Sequence, residues 1–432
     1  MKYRLVGSEM CIRDSGSIHC CSANRSTMAE PILELDNVTV RRGMGVVLDK
    51  FSLTVKPGEC VLLHGENGAG KSTVIETAAR LLPLEQGVVK HHGVLVCDGE
   101  GRRANPVRTF GLTLQANCLV PSQTVQQRLD DVLSLCKKST DMKNIIESYR
   151  IANRRNDRIS HLSGGQQRKV AVISGLLPGM VCEDSRLILL DEPDSGLDDD
   201  SVAILVEHIH SLRDSGHGIL IASHDKRLRE CATRLYDFTN STDQEPEKGQ
   251  PWKVDSTDKS QQFLMSKIGW KLNLNTLVSV QSNWLAALLV MGALLSIADP
   301  LTLSDNELIL MGFTLAPALS LGLIGDPVFK ILQEQKAVDW WRAQQNSVPN
   351  SYVESLLSGF LITALSMQIF IQSIDYRIIL VGGLIALSTS FAVRFLQMST
   401  IRLARSNAVF IRLLTPILIL PWGIVVDYCA NL

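Results

Sequence analysis

The chain of 432 residues has no excess of either charge: 43 lysines and arginines stand against 44 aspartates and glutamates. Without a basic balance it lacks the electrostatic footprint of a nucleic-acid-binding protein, and no nucleic-acid partner is expected. Its ten cysteines contain no C-x-x-C pair and no metal-ligand spacing. Cys20 and Cys21 are adjacent and the others are scattered, so reduced thiols in a cytosolic domain are expected. No histidine lies beyond His224, which leaves the C-terminal part without an imidazole. No internal repeat is visible, and no early apolar run is long enough for a signal peptide. Residues 1–27 include Leu5-Val6-Gly7-Ser8-Glu9-Met10-Cys11-Ile12-Arg13-Asp14-Ser15, which resembles translated adapter sequence. They are expected to be an artefactual or disordered leader, with Met28 as the true start.

What is present is unevenly spread. Charged residues crowd the first 260 or so positions, and apolar runs fill the remainder. Alternating Leu33, Leu35, Val38 and Val40, then Phe51, Leu53 and Val55, predict an antiparallel pair at a sheet edge. Gly65-Glu66-Asn67-Gly68-Ala69-Gly70-Lys71-Ser72 follows the pattern GxxxxGK[ST]. It stands between a strand-like run, Glu59 to His64, and a helix-like run, Ser72 to Leu82. In that context the glycines let successive N–H groups turn toward an anion at the positive end of a helix. Lys71 can then reach terminal phosphates, and Ser72 can ligate Mg²⁺. Helical periodicity is expected over Ser122 to Tyr149, Gln166 to Leu177 and Ser201 to Ser211, and buried strands over Leu187 to Leu190 and Gly218 to Ala222. The alternation predicts an α/β domain with a largely parallel sheet over residues 28–239. A polar linker over 240–262, with Pro246, Gly249 and Pro251, and a second domain over 263–432 complete the expected organisation.

Three further segments follow the glycine-rich loop in a fixed order: Leu162-Ser163-Gly164-Gly165-Gln166, Leu187-Ile188-Leu189-Leu190-Asp191-Glu192, and His224. Together the four resemble an ATP-binding cassette (ABC) domain over roughly Glu34 to Asp237, which implies an α/β P-loop ABC ATPase fold using ATP and Mg²⁺. The resemblance implies that Gly65, Asn67, Gly68, Gly70, Lys71, Ser72 and Thr73 hold the phosphates. Asp191, Ser72 and Gln115 would hold Mg²⁺, and Glu192 would orient and deprotonate the attacking water. Gln115 and His224 match the family's γ-phosphate contacts. Ser163, Gly164, Gly165 and Gln166, with Asp198 in the loop Ser195-Gly196-Leu197-Asp198, would serve ATP across an interface with a second copy of the chain or a related ABC half. One departure stands out: the aromatic expected near Val40 to Gly43 is absent, and Arg41 and Arg42 occupy its place. A planar guanidinium can stack on a base.

Beyond the linker, apolar runs cover Trp284–Ala298, Leu308–Ile324, Val353–Ile374, Ile378–Val393 and Ala408–Val426. The third and fifth reach the ~20 residues of a bilayer span. Five in succession predict an all-α transmembrane domain in contact with membrane lipid, with a sixth span expected after Leu432. Lys267, Lys271, Lys330, Lys336, Arg342, Arg394, Arg402 and Arg405 fall on the inner side and Arg377 on the outer, the positive-inside pattern. The expected location is therefore the cell membrane, with the ATPase domain cytoplasmic. Ile331 to Gln345 is expected to form a helix at the membrane surface, resting against the cassette near Gln115. Ile331, Val338 and Trp341 would share its apolar side, and Lys336 and Asp339 would point away.

The order of domains is that of an exporter. Leu319–Leu361, with Asp326-Pro327-Val328-Phe329, and Ala386–Val425 resemble the membrane subunit of the cytochrome c maturation haem exporter. The cassette resembles its ATPase subunit, which implies other cytochrome c maturation subunits as partners. The missing imidazoles argue against iron ligation within the apolar part. The alternatives are an exporter of lipid, drug or polysaccharide, or a soluble ABC ATPase outside transport.

Overall fold

The structure, a computed structural model, describes residues 30–237, 241–243, 256–258, 268–269, 271–272, 277–297, 307–345, 347–400 and 419–431. The expected leader lies outside the described residues. Strands β1 (Leu33–Arg42) and β2 (Gly45–Val55) form the expected antiparallel pair. β4 (Gln86–His91) joins the other side of β1, and β5 (Val94–Asp98) joins β4. The result is a four-stranded sheet in the order β2-β1-β4-β5.

The second sheet contains β3 (Cys60–His64), β6 (Gly111–Thr113), β8 (Leu187–Asp191), β9 (Gly218–Ala222), β10 (Arg234–Asp237) and β11 (Ser241–Asp243). Its order is β11-β10-β3-β9-β8-β6, and every pairing except β10–β11 is parallel. β8 and β9 are buried along their whole length, which is why they read as unbroken apolar runs without alternation. Helices α1 (Lys71–Ala78), α4 (Gly164–Val181), α5 (Asp199–Asp214) and the short α6 (Lys226–Glu230) accompany this sheet. The C-terminal ends of β3, β8 and β9 open at one edge, the place where parallel sheets bind ligands.

Between β6 and β8 lies a helical arm, α2 (Val125–Leu135) and α3 (Lys143–Ser148). A capping box of Thr124 and Gln127 starts α2. The periodicity predicted helix throughout 122–149, but the arm breaks where β7 (Lys138–Ser139) pairs with β12 (Thr257–Asp258). β11 and β12 both fall in the stretch read as linker, so the described parts of 240–262 return to the cassette and add strand pairs to it.

The C-terminal region is helical: α7 (Leu277–Ile297), α8 (Glu307–Leu323), α9 (Pro327–Glu334), α10 (Ala337–Gln344), α11 (Tyr352–Phe370), α12 (Tyr376–Thr400) and α13 (Ile419–Ala430). Among the described residues three stretches, 307–334, 352–370 and 376–399, are long and apolar enough to cross a membrane. Of the other two predicted spans, the first falls mostly within α7, Leu277–Ile297, apolar over 281–297. The fifth is described only from Ile419 onward. Small residues let these helices approach closely: a Cβ on Gly382 would stand 1.9 Å from Thr363 Oγ1, and one on Gly322 1.7 Å from Thr389 Oγ1.

The segment expected as one helix over 331–345 is instead two, broken at Lys336, whose φ is 54°. Phe329, Leu332, Val338, Trp340, Trp341 and Ala343 are buried in the same apolar core as the cassette, whereas α8, α11 and α12 build separate clusters of their own. Trp340 Nε1 donates to the carbonyl of Leu112 at 3.2 Å, and Gln344 Nε2 donates to that of Phe110 at 2.8 Å. Arg80 donates to the carbonyls of Arg342 and Ala343 at 3.1 and 2.8 Å. The Arg128 guanidinium lies 3.8 Å from the centre of the Trp340 ring. Lys336 is exposed, as the sequence pattern predicted, whereas Asp339 is half-buried and lines a cavity shared with the cassette instead of pointing away.

Gly111 lies between Phe110 and Leu112, and a Cβ there would come within 2.1 Å of the carbonyl oxygen of Gly175 in α4. Backbone cannot yield as a flexible side chain can. Gly111→Ala is therefore expected to destabilise the domain by about 1–3 kcal/mol, read as a lower thermal midpoint of the purified protein. An unchanged midpoint would contradict this packing.

Candidate functional site

The glycine-rich loop joins β3 to α1. Gly68 and Gly70 have φ of 86° and 103°, backbone that side-chain-bearing residues rarely adopt. A Cβ on Gly70 would also press on Val47 at 3.3 Å, so the loop closes tightly against β2. Gly65 and Asn67 lie on the same loop. Lys71 is buried, and its Nζ donates to the carbonyls of Gly65 and Glu66 at 2.7 and 2.9 Å, arching over the loop. Thr73 is buried in the first turn of α1.

Ser72 Oγ donates to Asp191 Oδ1 at 3.1 Å, joining residues 119 apart in sequence. Burial pushes the Asp191 carboxyl up to about 6; the Ser72 hydroxyl opposes the rise and Glu192 and Glu76 add to it. The next residue, Glu192, sits at φ 46° and donates its N–H to the Ala222 carbonyl at 2.8 Å. Gln115 Nε2 donates to Glu192 Oε2 at 3.4 Å. Four predicted residues, Ser72, Gln115, Asp191 and Glu192, thus converge at the end of β8. A hydroxyl, an amide oxygen and a carboxylate are hard oxygen donors of the kind Mg²⁺ takes, so the donor set fits that ion. Mg²⁺ bound there would neutralise phosphate charge.

His224 lies two residues beyond β9, exposed. Its loop is tied to the loop after β8, because Ser223 Oγ donates to Asp194 Oδ1 at 2.6 Å. Among the described residues no hydrogen bond joins His224 to Gln115 or Glu192.

Ser163 caps α4, and its side chain and that of Gln166 form a capping box. Ser163 and Gly164 are exposed at this helix start, and a Cβ on Gly165 would meet the Gly196 carbonyl at 3.1 Å. Asp198 caps α5 and pairs with Lys169 Nζ at 2.7 Å. That ammonium, with Ser201, holds the Asp198 carboxyl well below the usual carboxylate range. No hydrogen bond links residues 163–166 to the phosphate loop of the same chain among the described residues.

In the sequence Arg41 and Arg42 stand only as stacking candidates, and two features go unread, the first being the ion pairs these arginines make. Arg41 pairs with Glu85 at 2.6 Å and Arg42 with Glu76 at 2.5 Å. Both line a cavity of about 770 Å³ shared with Glu76, Gln115, Asp339 and Arg342. The second is Arg168, buried one turn into α4. Its Nη1 donates to the carbonyls of Leu114 and Gln115 at 2.8 and 3.4 Å and to Asn117 Oδ1 at 3.2 Å. Its Nη2 donates to the carbonyls of Asp191 and Glu192 at 2.9 and 2.5 Å. One guanidinium therefore sets the spacing between the Gln115 loop and the end of β8. A cue existed: a cation two residues past Gln166, on a helix that is otherwise buried, needs acceptors.

Residues 48–195 match the profile of the ABC transporter family. The N-terminal unit is an ABC ATPase domain. The chain is 29% identical over 222 residues to a macrolide export ATP-binding/permease protein of Hyphomonas neptunium, covering 49% of this chain and 34% of that protein. It is 30% identical over 210 residues to the Nod factor export ATP-binding protein I of Rhizobium etli, covering 48% and 63%. A solved ATP-binding subunit of an ABC transporter aligns with 48% of this chain and 85% of its own, at 25% identity and a TM-score of 0.42. The chain thus spans less than two thirds of the length of either curated relative.

Arg168→Met is expected to leave nucleotide binding to the phosphate loop of the ABC ATPase domain in place. ATP turnover is expected to fall on the order of 10²-fold, the effect of a small misplacement of reacting groups. Parallel binding and turnover measurements check this; wild-type turnover would show that Arg168 does not set the spacing.

Proposed function

We propose that the chain is an ATP-driven exporter, working as a dimer, in which the ABC ATPase domain drives movement of apolar helices that span a membrane. The observation that carries this reading is the docking of α9 and α10 into the cassette core beside the strand that leads to Gln115. A soluble ATPase has no need to bury part of an apolar helical region in its own core, so the docking favours the transport reading over the soluble one.

In this reading the phosphate-loop N–H groups and Lys71 bind and orient the triphosphate. Ser72 and Asp191 provide the seat for Mg²⁺, with Gln115 alongside. Glu192 accepts the proton of the attacking water, held in place by Gln115 and by its own backbone link to β9. His224 reaches the terminal phosphate from the neighbouring loop. The Ser163–Gln166 start of α4, exposed at Ser163 and Gly164, and the loop ending at Asp198 face a second copy and complete its site, which agrees with residues 163–166 having, among the described residues, no hydrogen bond to the phosphate loop of their own chain.

For the cargo, haem export in cytochrome c maturation rests on the resemblance of Leu319–Leu361 and Ala386–Val425 to that system's membrane subunit. With no histidine beyond His224, either other subunits bind the haem or the cargo is something else. That absence also favours the second reading, export of another small organic cargo, since the relatives are named for macrolide and Nod factor export.

Two variants test the ATPase roles. Glu192→Gln is expected to bind ATP as the wild type does and to lose about 10²–10⁴-fold in turnover, the contribution of a general base. Lys71→Ala is expected to lose nucleotide affinity itself. Steady-state hydrolysis by Glu192→Gln at the wild-type rate would remove Glu192 from the chemistry. Stimulation of the wild-type ATPase in vesicles by haem, or by a macrolide instead, separates the two cargo readings.

A further inference from the structure

We propose that Asp326 and Arg394 are a positioning pair that fastens the docking segment to the α12 helix, so that movement of the cassette reaches the helical bundle. The proposal rests on the coupling reading above. Gly325, at φ 86°, turns the chain between α8 and α9, and a Cβ there would meet Val393 of α12 at 2.9 Å. Asp326 follows, and its buried carboxylate caps α9 by accepting from the N–H groups of Val328 and Phe329 at 2.9 and 3.3 Å. The same carboxylate accepts from Ser351 Oγ at 2.5 Å and Ser351 N at 3.4 Å, just before α11 begins. The docking segment therefore starts and ends on one side chain.

Arg394 of α12 completes the junction. It pairs with Asp326 and donates to the carbonyls of Pro349 and Val348 at 3.0 and 2.7 Å. Its guanidinium lies 5.3 Å from the centre of the Phe329 ring and 5.5 Å from that of Tyr352. From α7, Asn283 Nδ2 donates to the Gly325 carbonyl at 3.2 Å. The segment is thus gripped twice: in its middle by the cassette, through Trp340 and Gln344, and at both ends by Arg394. Separating a buried pair leaves charges without partners, so α12 follows the segment instead of sliding past it.

The test is amide hydrogen exchange of the full chain in lipid nanodiscs, with and without Mg²⁺ and a non-hydrolysable ATP analogue. In the wild type, protection is expected to change both in α1 and in α12. Asp326→Asn/Arg394→Met removes both charges and so leaves no orphan ion. It is expected to keep the α1 response and basal ATPase, and to reduce the α12 response about fivefold, within the range of coupling-residue effects. Arg394→Lys, which keeps the charge but not the fork of donors, is expected to fall between. An α12 response in the double variant equal to the wild type would overturn the proposal and leave the pair a structural staple. Should the double variant fail to fold, Arg394→Lys decides: a reduced α12 response with unchanged α1 response supports the pair, and an unreduced one overturns it. A wild-type response confined to α1 would instead remove the coupling reading, and the role of the pair with it.

Discussion

The indole N–H of Trp340 donated to the carbonyl of Leu112 is the bond on which the union of the two halves depends. β6 is a three-residue strand at the edge of its sheet, hydrogen-bonded to β8 on one side only. Carbonyls two residues apart on a strand point the same way. Those of Phe110 and Leu112 meet Gln344 and Trp340 of α10, so a helix end covers the open edge of the cassette. Arg128 stacks on the same indole from the arm, and Arg80 holds the last carbonyls of α10, where a cation suits a helix C-terminus. Each buried carbonyl left without a donor costs about 1–3 kcal/mol, so the contact is specific as well as apolar.

This arrangement puts the apolar helices a short chemical distance from the reacting groups. Three residues beyond Leu112 the chain reaches Gln115, whose amide meets Glu192. Arg168 then ties the Gln115 loop to the end of β8. A continuous chain of contacts thus runs from Glu192 through Gln115 and β6 to α10. The 770 Å³ cavity beside Gln115 is walled by charged groups from both halves.

Much of this was legible in the sequence because it depends on local pattern. The glycine spacing from Gly65 to Ser72 dictates a loop before a helix, and the apolar runs of β8 and β9 dictate buried strands. Gln115, Asp191 and Glu192 could be named because their order matches a family, and the fold brings them together. Other features depend on tertiary partners that periodicity does not carry. Lys336 breaks the docking segment with a left-handed residue although it fits a helical pattern. Thr257–Asp258 reads as polar linker, yet it pairs with a strand more than a hundred residues earlier. Arg168 and the Asp326–Arg394 pair could be suspected as buried ions, but their partners lie 68 residues apart in the second case and on four separate carbonyls in the first.

The central claim is that α10 docks at the Gln115 side of the cassette and moves with it during turnover. Cross-linking within the cavity tests this most directly, because Leu82 and Asp339 both line it and come from opposite halves. The native cysteines among the described residues are buried, so cysteines placed at these two positions, with Cys118→Ser, can be joined selectively by a bifunctional maleimide. The account predicts that the link forms in the intact protein in membranes and that ATP turnover continues at the unlinked rate, because the two surfaces move as one. A link that fails to form, or one that stops ATP turnover although neither cysteine modified alone does so, would contradict the account.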